Sequence, residues 1–67
     1  MDAATLIYMV NQIARNLAVQ GDEVAIAMTA QHIADFWDPR MKAAILAADR
    51  SALAPIAAAA VARIVPA

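Results

Sequence analysis

One glycine, Gly21, and three prolines, Pro39, Pro55 and Pro66, are the only strong breakers in the chain. Glycine and proline punctuate regular structure more than any other residues, so the long intervals between them favour helices. No run alternates β-branched and polar residues as a strand does. In the first interval, from about Ala3 to Gln20, Leu6, Val10, Ile13 and Leu17 stand at i, i+4, i+7 and i+11, one stripe of a 3.6-residue helix. Ile7, Ala14 and Ala18 widen that stripe, Asp2 suits the N-cap, and Gly21 suits a left-handed residue past the end. Asp22 is then placed to cap a second helix, with Glu23 in its first turn. Its stripe is Ile26, Ala30, Ile33 and Trp37, with Met28, Thr29 and Phe36 beside it.

The second helix should end near Trp37, because Asp38 precedes a proline and is disfavoured in the α region. Asp38 and Pro39 in turn read as the cap and first residue of a third helix, faced by Met41, Ile45 and Ala48 with Ala44 and Leu46 flanking. Asp49, Arg50 and Ser51 form the next connection. A fourth helix runs from about Leu53 or Pro55 to Val65, with Ile56, Ala60 and Ile64 at steps of four. Two starts fit it: Ser51 capping a helix from Ala52, or Pro55 as first helical residue behind Ala54. The expected class is all-α, a single domain over 1–67 built as a small bundle of three to four short helices.

Composition adds a constraint on that bundle. Hydrophobic residues make up 64% of the 67 and charged residues 16%, whereas a chain of about 60 residues buries only about 60% of its unfolded surface. Disorder is excluded by that apolar content. Small scaffolds without disulfides or metal gain stability by docking or oligomerising, so the bundle is expected to be completed by packing on a partner subunit. A membrane span needs about 20 apolar residues in a row. The longest stretches without a charge, Ala3 to Ala14, Val24 to Ala34 and Ser51 to Ala62, are too short. Met1-Asp2 places an acid where a secretory leader carries basic residues, and the expected location is the cytoplasm. With no cysteine, a disulfide framework and thiolate metal ligation are ruled out. A net charge of −1 with no basic run argues against a nucleic-acid partner.

His32, the one histidine, is the only side chain suited to proton transfer near neutrality. Asp35 lies three residues on and is placed to pair with it, but no nucleophile or second metal ligand accompanies them. The plainer reading, a helix residue that packs or makes one hydrogen bond, is preferred, and no catalytic, cofactor or metal residues are assigned. No glycine-rich phosphate loop is present.

Candidate interface residues fall in two segments. Asn11 and Arg15 share one helix face, and Gln12 and Asn16 form a second such pair. They read either as a solvated face or as hydrogen-bonding groups for a partner. Phe36, Trp37, Asp38, Pro39, Arg40 and Met41 hold the only Phe, the only Trp and the clearest helix start. They read as a core-filling corner or as an anchor of the kind that dominates binding hot spots. Adjacent helix positions differ by about 100°, so one aromatic can face in while the other faces out. The methionines, Met28 among them, read as core filler.

The order of these segments carries a resemblance. Met9-Val10-Asn11-Gln12-Ile13-Ala14-Arg15-Asn16-Leu17 is followed by His32-Ile33-Ala34-Asp35-Phe36-Trp37-Asp38-Pro39-Arg40-Met41-Lys42 and by an Ala-Pro start to the last helix. From about Leu6 to Ile64 the chain resembles the delta subunit of the cytoplasmic, molybdenum- or tungsten-containing, NAD-dependent formate dehydrogenases. It departs from that pattern at Ala54, where Ser is frequent, and at Val10, where Ala is frequent.

The resemblance implies an accessory subunit with no cofactor of its own. It implies a complex that carries a bis-molybdopterin guanine dinucleotide centre with Mo or W, iron–sulfur clusters, FMN and NAD. The implied partner is the catalytic alpha subunit, and through it the beta and gamma subunits. The residues expected to meet it are Asn11, Gln12, Arg15, His32, Phe36, Trp37, Asp38, Pro39, Arg40 and Met41. Rival readings are a free-standing helical homo-oligomeric adaptor and a transient maturation chaperone.

Overall fold

Asp2 opens the first helix as its sequence suggests: its Oδ1 accepts the Thr5 N–H at 2.8 Å and caps α1, Ala3–Leu17. The computed structural model describes residues 2–64. Helix α1 tightens into a 3-10 turn over Ala18–Gln20. The chain reverses at Gly21, whose φ of +97° is a conformation only glycine adopts without strain. Helix α2 follows over Asp22–Phe36. Asp22 is its first residue and not its cap: Gly21 occupies the cap position, without a side chain to offer. Asp22 and Glu23 still lie in the first turn, where negative charge meets the positive end of the helix dipole.

The break at Trp37 and Asp38 is held at both sides. Asp38 Oδ1 accepts the Met41 N–H at 2.9 Å, and Pro39 starts α3, Pro39–Ala47. Lys42 Nζ donates back to the Ala34 carbonyl at 3.2 Å, satisfying an acceptor in the last turn of α2 with a cation, as the helix dipole favours. A second 3-10 turn, Arg50–Ala52, is capped by Asp49, which accepts from Ser51 N at 2.9 Å and from Ser51 Oγ at 2.7 Å. Helix α4, Pro55–Ala62, begins at the proline, with Ala54 at the cap and no capping side chain of its own. It is shorter than expected. The Arg63 and Ile64 N–H groups bond three residues back, to Ala60 and Val61, and Val65 lies outside the described residues.

The described residues form four α-helices and two 3-10 turns, so the all-α expectation holds. The buried faces differ from the expected stripes in a consistent way. Helix α1 buries Leu6, Val10 and Ala14, while Ile13 and Leu17 are half-buried. Helix α2 buries Ala25, Thr29 and Ile33, and the row continues to Trp37 just past its end, while Ile26 and Ala30 are half-buried. Helix α4 buries Ala57, Ala60 and Val61, not Ile56 and Ile64. Stripes at i, i+4, i+7 and i+11 run along a helix axis, whereas rows of i and i+4 wind around it. Helices that cross at an angle meet along those winding rows.

Helix α2 packs chiefly on α4 and α1. Ala25 of α2 and Ala57 and Ala60 of α4 are fully buried. Leu53, in the link before α4, also joins the core that contains Leu6, Val10, Ile33, Trp37, Ile45 and Val61.

Thr29 is the exception within this core. It is fully buried, and its Oγ1 has no hydrogen-bond partner. A buried hydroxyl without a partner costs about 1–3 kcal/mol. Thr29→Val keeps the shape and removes the orphan group. Thermal unfolding followed by circular dichroism should show a melting temperature raised by about 4–8 °C for each kcal/mol recovered.

Acid should act on the caps. Hydrogen bonds from Thr5 hold the Asp2 carboxyl below its ordinary value of 3.8, and those from Ser51 do the same for Asp49. For a carboxylate with a lowered folded pKa, the stabilisation is complete above the ordinary value and is lost as pH falls through the folded one. Helical signal measured from pH 6 down to pH 2 should therefore hold until about pH 4 and then decline. Asp2→Asn and Asp49→Asn should flatten that decline.

Candidate functional site

The residues singled out in the sequence fall into two places. Asn11, Gln12 and Arg15 lie on the side of α1 that faces the start of α4. His32 and Phe36 to Met41 lie where α2 gives way to α3.

At the first place, Asn11 joins α1 to the α4 start. Its Nδ2 donates to the Ala52 carbonyl at 3.1 Å and its Oδ1 accepts the Ala54 N–H at 2.8 Å. Both halves of the amide are thus engaged within the chain, more than 40 residues away in sequence. Ala54 cannot cap α4, and Asn11 binds the backbone on either side of Leu53 from across the bundle. Beside this link lies an open groove of about 510 Å³. Ala14, Ala18, Pro55 and Ile56 supply its apolar lining, and Gln12, Arg15 and Asp22 its polar groups. Among the described residues no carboxylate lies within 4.0 Å of the Arg15 guanidinium.

At the second place the two aromatics part. Trp37 is 5% exposed and belongs to the core, whereas Phe36 is 74% exposed. Met41 is half-buried against the core, and Asp38, Pro39 and Arg40 are exposed. Asp38, Arg40 and Met41 border a smaller depression of about 240 Å³ with Leu6 and Ala44. His32 does not pair with Asp35. The Asp35 carboxylate accepts from Gln31 Nε2 at 2.8 Å, and the His32 ring lies tilted against Phe36 with centroids 4.9 Å apart.

Sequence reasoning missed one surface. Val24, Met28, His32 and Phe36 stand four residues apart along α2 and are all exposed, so Met28 is not core filler. The spacing was visible in the sequence, but it was indistinguishable there from the flank of a buried face. Also missed was the α4 wall of the groove, which only the fold brings to α1.

Neither place presents a reactive constellation. Among the described residues no three His, Asp or Glu side chains are gathered to hold a metal ion. Cysteine-ligated iron–sulfur clusters have no donors in a chain without cysteine. No described helix is long and apolar enough to cross a membrane. What both places offer is contact surface: one apolar and aromatic, the other a groove with polar walls.

The family model of the NADH-dependent formate dehydrogenase delta subunit FdsD matches residues 5–61. The chain belongs to this delta-subunit family. The match takes in both segments on which the resemblance rested, and with them Asn11 and the groove lining from Gln12 to Ile56. The family is that of a subunit of the formate dehydrogenase complex, so association with that complex comes with membership. No curated protein and no solved structure matches the chain.

The Asn11 link should be measurable in the delta subunit itself. Asn11→Ala removes two hydrogen bonds and leaves the Ala52 and Ala54 backbone groups to water, at about 1 kcal/mol each. Urea unfolding should show a lower midpoint with an unchanged slope.

Proposed function

We propose that this chain is a non-catalytic accessory subunit that docks on the catalytic alpha subunit of formate dehydrogenase and stabilises it or assists its assembly. Formate oxidation, the molybdenum or tungsten centre, the iron–sulfur clusters, FMN and NAD then belong to the alpha, beta and gamma subunits, in the cytoplasm. The observation that carries this reading is the outer face of α2. Val24, Met28 and Phe36 expose apolar surface along one row of α2, with His32 between the last two. An exposed apolar stripe marks an interaction surface, and side chains at helical spacing are how a helix docks on a groove. His32 supports the non-catalytic part, since its ring meets Phe36 and no partner acid or nucleophile.

The test is deletion of the chain from cells that make the complex. The yield of assembled complex, its metal content and formate-dependent NAD reduction should all fall, and re-expression should restore them. Unchanged yield, metal content and activity would overturn the proposal. Restoration by a chain that never co-purifies with the mature complex would instead make it a transient maturation chaperone.

A further inference from the structure

We infer that the groove between α1 and the start of α4 receives a segment of the partner subunit that carries a carboxylate side chain next to an apolar one. This inference rests on the accessory-subunit reading and adds to it a second contact, chemically distinct from the apolar face of α2.

The groove is built before anything enters it. Asn11 ties its two sides together through Ala52 and Ala54, and Pro55 locks its own φ. A preformed site loses little ordering entropy on binding. With Asn11 Nδ2 and Oδ1 each bonded to the backbone of this chain, the other polar side chains that line the groove and can meet a ligand are Gln12, Arg15 and Asp22.

Arg15 sets the sign of the ligand. Its guanidinium is without a carboxylate neighbour among the described residues, and its planar fork matches a carboxylate in bidentate fashion. Gln12, one residue beyond Asn11 and three before Arg15, adds an amide to the same wall. Asp22 also lines the groove and limits the acids to one, because a second acid beside it meets like charge, whereas a neutral or basic group does not. Ala14, Ala18, Pro55 and Ile56 give the groove its apolar lining. A lone small anion satisfies Arg15 and leaves that lining wet. A protein segment with an acidic and an apolar side chain in succession covers both, and the 510 Å³ volume is within the range of about 300–1,000 Å³ that binding clefts occupy.

The experiment adds tagged full-length chain to formate dehydrogenase complex produced without it, and measures what is retained at increasing chain concentration. Wild type should be retained. Arg15→Glu should be retained about tenfold less tightly, with Arg15→Lys in between. Ala18→Leu, which fills the lining without changing charge, should also weaken retention.

Arg15 and Ala18 are exposed, and circular dichroism of each variant verifies that it folds. In parallel, a benzoylphenylalanine photo-crosslinker replacing Gln12 should capture a partner peptide that contains Asp or Glu beside an apolar residue. Retention of Arg15→Glu and Ala18→Leu equal to wild type, or a captured peptide without an acid, overturns the groove assignment and leaves docking intact. Failure of the wild-type chain to be retained overturns the accessory-subunit reading and the groove assignment with it.

Discussion

Helices α2 and α4 pack on each other and each buries alanines, and that use of small side chains is the constraint on which the bundle depends. Ala25 from α2 and Ala57 and Ala60 from α4 are fully buried. Beside them a few large residues, Leu6, Ile33, Ile45, Val10 and Val61, are fully buried. A chain of this length cannot bury many large side chains, because its surface-to-volume ratio is too high. Alanine-rich faces are one solution: they convert apolar content into close packing with little area per residue. The same geometry makes Thr29 conspicuous, since nothing polar reaches its buried hydroxyl.

Packing along winding i, i+4 rows means that the short links between helices have to be held as firmly as the helices. Each link has its own device. Gly21 turns the chain at positive φ, Asp38 and Lys42 fasten the corner between α2 and α3, and Asp49 caps the turn before Leu53. Within that last link the start of α4 itself is without a local device, because Ala54 has no capping group. There Asn11 reaches across from α1 to hold the backbone on both sides of Leu53. A single amide thereby connects the first helix to the start of the last, and it lines the groove beside that link.

For a subunit of a larger assembly, what matters is the surface left over after this packing. The exposed row on α2 and the groove on α1 differ in chemistry, the first mainly apolar and aromatic, the second apolar with one cation, Arg15, and one anion, Asp22, in its lining. Two contacts of different character specify orientation as well as attachment. An apolar face alone tolerates sliding, whereas a charged group has to meet its complement.

The helices, their order and most of their ends were legible in the residues, because these depend on neighbours in sequence. Asp2 and Asp38 reach backbone N–H groups three residues on, Pro39 can only open a helix, and Gly21 alone tolerates its φ. Family membership was likewise legible, carried by the Asn11 and Trp37 segments that the delta-subunit match spans. The buried face was legible for α3, around Ile45, and in part for α1 and α2, where Leu6, Val10, Ile33 and Trp37 are buried as their spacing suggests; the remaining core positions were not. Ile13 and Ala14, or Ala25 and Ile26, are equally good core residues until the crossing of the helices selects between them. Nor did Asn11 announce its task, since an amide on a polar face serves water, a partner or a distant backbone equally well. Only the tertiary structure decides such matters, because they are settled by groups far apart in the chain that local spacing does not bring together.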